Sequence, residues 1–183
     1  MPCLSRLFCR SKVLVAWVLA AALSAPLAWA QVPVDLSPVP AQLRPSALSE
    51  GWQHGAFMEI FVRSWRDSDG DGVGDLRGLT QSLDDLQKLG VRGLWLMPIT
   101  RSADGDHGYA TTDYRDIEPA YGTLADFDEL IRQAHARGIG VIMDYVVNHS
   151  ADTHPLFVQS VRDPAGPYRT WFEWRQTHPE GWD

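Results

Sequence analysis

Three short apolar runs constrain this chain more than any other feature: AFMEIFV at 56–62, RGLWLMPI at 92–99 and IGVIMDYVV at 139–147. Each is rich in β-branched or aromatic residues and too short for a helix of ordinary length. Between them lie two stretches of helical period. The first, LTQSLDDLQKLG, sets Leu79, Leu83, Leu86 and Leu89 on one face, and Gly90 is placed to stop it. The second, TLADFDELIRQAHARG, opens on Thr123 as an N-cap. It puts Leu124, Phe127, Leu130, Ile131 and Ala134 on one stripe and ends at Gly138. The expected order is β-α-β-α-β.

Strands that are apolar along most of their length are strands buried on both faces, and such strands run parallel. Two α/β architectures satisfy that pattern, an open doubly wound sheet and the start of a (β/α)8 barrel. Neither G-x-G-x-x-G nor G-x-x-x-x-G-K-[ST] follows any of the runs, so the usual phosphate-cradling loops are missing. Polar residues gather instead just past the strand ends, at 63–75, 104–121 and 144–149. In a barrel that end is the active face.

The first 30 residues follow a different logic. Arg6, Arg10 and Lys12 precede an apolar run at 13–27, and AWA at 28–30 supplies small residues two apart. This is the layout of a secretory signal cleaved after Ala30. The competing reading is an uncleaved membrane anchor, since about 18 apolar residues can span a bilayer. Pro26 and the small-residue site favour cleavage. Cys3 and Cys9 both fall in this leader, so the mature chain carries no thiol chemistry. Removing the leader's three basic residues from the 16 leaves 13 against 23 acidic ones, a net of −10. Such acidity excludes nucleic acid as the expected partner and suits a secreted or periplasmic protein holding a cation or a neutral ligand. Residues 31–50, with Pro33, Pro38, Pro40 and Pro45 and no apolar period, read as an extended lead-in.

Two clusters have chemical potential. DSDGDGVGDLRG at 67–78 brings Asp67, Asp69, Asp71 and Asp75 together among glycines, like a calcium loop. An EF-hand requires a bidentate Glu at its twelfth place and flanking helices, whereas Gly78 stands there and a strand leads in. Four carboxylates in one loop repel each other unless a cation neutralises them, so a metal is expected without the EF-hand; the alternative is a solvated acidic turn. At the third strand end, DYVVNH offers Asp144, Asn148 and His149, as ligand contacts or as turn and cap residues. Tyr109, after His107 and Gly108, could lie flat against a sugar or simply pack within its loop.

Taken together, DSDGDGVGDLRGL, LGVRGLWLMPI, HGYATTDYRDIEPAYGT, AHARGIGVIMDYVVNHS and HPLF…PYRTWFEW resemble, in order, the alpha-amylase family, glycoside hydrolase family 13. The resemblance implies the first three β/α units of a (β/α)8 TIM barrel over 51–149. It also implies the start of an inserted domain over 150–183, after the third strand. It implies retaining hydrolysis or transfer at α-glucosidic bonds. Tyr109 matches the aromatic platform beneath the sugar at the cleavage point. Asp144 and His149 match residues that hydrogen-bond that sugar. Asn148 matches a structural position that in many members helps bind calcium. Asp67, Asp69, Asp71, Asp75 and the carbonyl of Val73 match a Ca2+ loop. Ala110 replaces an Asp that often follows this Tyr in members that clip single glucoses from chain ends, which favours a more open cleft acting on starch-like glucans.

The nucleophile and acid of a retaining enzyme stand roughly 5 to 5.5 Å apart and in this family come from later strands. No G-x-R-x-D segment occurs in the 183 residues, so no catalytic residue can be carried over. The expectation is an N-terminal segment of an exported alpha-glucan-active enzyme, inactive alone. The alternatives are a family transglycosylase, trehalose-forming or sucrose-using, and a non-catalytic sugar- or calcium-binding accessory protein.

Overall fold

The computed structural model of the chain describes residues 35–38, 48–103 and 107–177. The leader read over 1–30, most of the lead-in, residues 104–106 and the tail from 178 lie outside them.

A 3-10 turn at Trp52–His54 leads into β1, Ala56–Ile60. A second 3-10 turn, Val62–Ser64, and the acidic loop then lead into α1, Leu76–Gln81, and α2, Leu83–Lys88. Next come β2 (Val91–Leu96), β3 (Thr100–Ser102) and β4 (Thr111–Ile117), followed by α3 (Leu124–Ala136), β5 (Gly140–Met143) and α4 (Pro155–Arg162). Strands β1, β2 and β5 form a parallel sheet in that order, with Ile60 opposite Leu96 and Leu96 opposite Met143. The β-α-β-α-β frame is therefore present.

Several boundaries differ from expectation for identifiable reasons. The first run stops being a strand after Ile60, because Ser64 and Trp65 donate N–H bonds to Phe61 and Val62 and close a tight turn. The third strand ends at Met143, so Asp144 to His149 belong to an irregular loop beyond it. The single helix expected after β1 is two. The Ser82 hydroxyl donates to the Gly78 carbonyl (2.9 Å), while its N–H bonds back only to Leu79 (3.0 Å), which tightens and bends the chain there. Leu79, Leu83 and Leu86 are buried as the period required, but Leu89 lies past the helix end and is 74% exposed. In α3, Thr123 forms a capping box with Asp126, Leu130 and Ala134 are buried, and Leu124 in the first turn is exposed.

The core is one cluster on one side of the sheet. Ile60, Leu94 and Leu96 pack there against Leu76, Leu79, Leu83 and Leu86 of α1 and α2 and against Leu130 and Ala134 of α3. Asp75 caps α1, accepting from the Gly78 N–H at 2.7 Å and the Ser68 N–H at 2.8 Å. The long loop between β2 and α3 is in part an antiparallel hairpin of β3 and β4, with shifted register.

Candidate active site

Three parallel strands end side by side, and the loops leaving them carry the expected polar residues. Asp144 is held where β5 stops, its N–H donating to the Leu96 carbonyl at 2.8 Å. Its Oδ2 accepts from the Tyr109 hydroxyl at 3.1 Å. The Nε2 of His149 lies 3.1 Å from the Tyr109 carbonyl oxygen, which fixes that nitrogen as the protonated one in this contact. Asn148 sits beside the other ring nitrogen, Nδ2 to Nδ1 3.5 Å. Tyr109, Asp144 and His149 thus meet across 35 to 40 residues of sequence.

Local backbone geometry allows this meeting. Gly108 has φ +80, and a Cβ there would lie 2.6 Å from the Pro98 carbonyl oxygen. Only glycine lets the chain turn this tightly against β2's end and hold Tyr109 toward β5. The His107 ring stacks on Phe61, 5.6 Å between centroids and 7° between planes, tying this turn to the end of β1.

Tyr109 is 37% exposed, with its hydroxyl on the Asp144 carboxylate. Burial raises its pKa above the ordinary phenol value, and the carboxylate of Asp144, with that of Glu59, adds to the effect. At neutral pH the hydroxyl therefore stays a donor. An exposed tyrosine with a carboxylate at its hydroxyl offers a polyhydroxylated ring an apolar surface for its C–H groups and an acceptor for a hydroxyl.

The acidic loop is a second centre, some residues earlier in the chain. Asp67, Asp69 and Asp71 each offer a carboxylate oxygen, all within 4.8 Å of one another. Oxygens on opposite sides of a Ca2+ ion are separated by up to about 4.8 Å, so this donor set fits the ion. Asp75 lies outside that group of three, and both its oxygens already accept N–H bonds. Val73 follows in the loop, its N–H donating to Asp71 Oδ1 at 2.7 Å. The N–H groups of Gly70, Gly72 and Asp69 donate to Asp67 and hold its carboxyl below the usual range. Positive φ at Gly70 and Gly72, +88 and +91, turns those N–H groups inward. The loop's own backbone thus supplies part of the neutralisation that the sequence assigned wholly to a cation.

Two participants were not singled out from sequence. Glu59 is the one charged residue in an otherwise apolar strand run, which is the signal that could have marked it. Tyr114 donates its hydroxyl to the His149 carbonyl at 2.8 Å and carried no local signal at all.

Loops leaving the C-terminal ends of parallel β/α strands form the active face of a barrel, and here they bring together an aromatic ring, a carboxylate and an imidazole. The family profile described as Alpha amylase, catalytic domain matches residues 59–183. The chain belongs to the alpha-amylase family. It is 50% identical over 133 residues to Alpha-amylase 3 of Dictyoglomus thermophilum, covering 72% of this chain and 26% of that protein. With the Alpha-glucosidase of Pediococcus pentosaceus it shares 43% over 142 residues, 75% of this chain and 26% of that one. The solved alpha-amylase from H. orenii superposes with a TM-score of 0.65 at 48% identity, covering 68% of this chain and 27% of that one. The chain spans about a quarter of the length of the curated relatives it matches.

Proposed function

We propose that the chain is the opening part of the catalytic (β/α)8 barrel of an exported enzyme acting by a retaining mechanism on α-glucosidic bonds of starch-like glucans. The observation that carries this reading is the convergence of Tyr109, Asp144 and His149 at one end of the sheet. Tyr109 supports the glucose ring at the cleavage point, and Asp144 and His149 hold its hydroxyls. These residues bind and orient. The 183-residue chain alone is inactive, because retaining cleavage needs two further carboxyl groups about 5 Å apart across the scissile bond. Maltotriose should bind the purified chain weakly and perturb NMR signals of Tyr109 and His149 without being hydrolysed. Hydrolysis above background would overturn the inactivity, and no perturbation at either residue would overturn the sugar assignment.

Asp67, Asp69 and Asp71 hold the calcium ion and the Val73 carbonyl adds a ligand, while Asp75, whose oxygens cap α1, stays outside the coordination. The ion supplies structural charge neutralisation and pins the turn between β1 and α1. Saturating Ca2+ at 100 times its Kd should stabilise the chain by about 2.7 kcal/mol, and Asp69→Asn should abolish most of that gain. An identical melting temperature with Ca2+ and with chelator would remove the metal from this reading. Export rests on the leader, and a mature N-terminus at Gln31 is its direct check.

A further inference from the structure

The hydrogen bond from the Tyr114 hydroxyl to the His149 carbonyl assigns Tyr114 a task that the motifs leave open. We propose that Tyr114 is a positioning residue of the sugar-binding centre: from β4 it clamps the loop that carries His149, so that the imidazole faces Tyr109. The proposal rests on the sugar-binding reading of the trio and adds the part that holds it in shape.

Residues 144–150 form no regular element; Val146 is buried, but Val147 and His149 beyond it are exposed. Such a segment has little of its own to fix a side chain. Two hydrogen bonds with β4 hold its C-terminal end. The Ala151 N–H donates to the Thr111 carbonyl at 3.0 Å, and the Tyr114 hydroxyl donates to the His149 carbonyl at 2.8 Å. The second acts on the functional residue itself.

Two rings flank the half-buried Tyr114. Tyr145 meets its ring edge-on at 5.6 Å, and His154 lies at 5.7 Å on a tilted plane. His154 is itself immobilised: it is 5% exposed, and its Nδ1 accepts the Leu156 N–H at 3.2 Å, capping α4. Burial raises the Tyr114 pKa, so its hydroxyl is a donor at neutral pH. The hairpin therefore meets the trio twice. Tyr109 stands in the connection from β3 to β4, and Tyr114, within β4, bonds the loop that carries His149. Tyr114 makes no contact with the sugar in this scheme and acts only through His149.

The test compares Tyr114→Phe with the parent chain by NMR relaxation and by maltotriose titration. Phe keeps the ring packing and removes only the hydroxyl. Expected are exchange broadening at residues 148–150, a melting temperature within about 2 °C of the parent, and maltotriose binding weakened three- to tenfold. Incorporating 4-aminophenylalanine at 114 restores a donor at the same reach and should restore sharp signals, which a purely packing role would not require. Unchanged His149 signals in Tyr114→Phe would overturn the clamp. Should Tyr114→Phe fail to fold, the parent decides: a slowly exchanging Tyr114 hydroxyl proton with a cross-peak to the His149 Hα supports the clamp, and its absence overturns it. If the parent fails to bind maltotriose while His149 mobility still depends on Tyr114, the sugar reading falls and the clamp stands.

Discussion

The two faces of the parallel sheet are built to different ends. On one, Ile60, Leu94 and Leu96 are fully buried beneath the helices. On the other, register aligns Phe57 with Gly93 and Gly140, and then Glu59 with Trp95 and Ile142. The lower of these rows is filled locally. A Cβ at Gly140 would lie 1.9 Å from the Trp52 ring, and one at Gly93 would lie 2.3 Å from the Phe57 ring, so both glycines make room for aromatic rings. The upper row is open, with Trp95 43% and Ile142 45% exposed beside a carboxylate. Large apolar side chains left open on this face among the described residues are consistent with the inner face of a barrel. Strands apolar on both sides specify two partners, of which the described residues supply one.

The sharpest way to break this contrast is a matched pair of truncations. Leu94→Ala, on the covered face, should cost about 2 to 5 kcal/mol of unfolding free energy by denaturant titration. Ile142→Ala, on the adjacent strand but the open face, should cost under about 1 kcal/mol, since nearly half of its surface is already in water. Equal losses would mean that the second face is covered after all.

Between these extremes lies the cap that starts the covering layer. Burial pushes the Asp75 carboxyl upward, but the N–H groups of Gly78 and Ser68 outweigh it, and the pKa lies below the usual carboxylate value. Its contribution is therefore complete above the unfolded pKa of about 3.9 and is lost as pH falls through the folded value. Asp75→Ala should cost about 1 to 2 kcal/mol at neutral pH and flatten the acid limb of the stability profile. A variant that keeps the parent's acid limb would show that another carboxylate sets it.

A smaller effect concerns the loop beyond β5. Burial holds the His154 imidazole below its ordinary pKa, against a weaker opposing pull from Asp113. Neutral His154 caps α4, so that contribution is full above about pH 6.5 and declines as acid drives protonation through the lower folded value. Hydrogen exchange at residues 156–158 should accelerate in that lower window, and His154→Asn should remove the pH dependence.

Much of this was legible in advance where the determining contacts are local. Thr123 caps its own helix, and Gly90 and Gly138 end theirs, so residue order alone announced them, as it did the clustering of carboxylates at 67–75; the N–H bonds that Asp67 and Asp71 accept from residues two to five positions on carried no such signal. The break at Ser82 was also local, but a helical period does not register a hydroxyl competing for a carbonyl. The β3–β4 hairpin escaped notice because its register shifts interrupt the alternation that marks a strand.

What the residues fixed by themselves was the alternation of strands and helices, the apolar character of both sheet faces and the acidic loop, all set by periodicity and short-range bonding. What only tertiary structure decided was which distant residues meet: Tyr109 with Asp144, Tyr114 with His149, and open against covered face. Those pairings depend on the register of parallel strands and on chain closures of about 35 residues, and no short-range pattern encodes either.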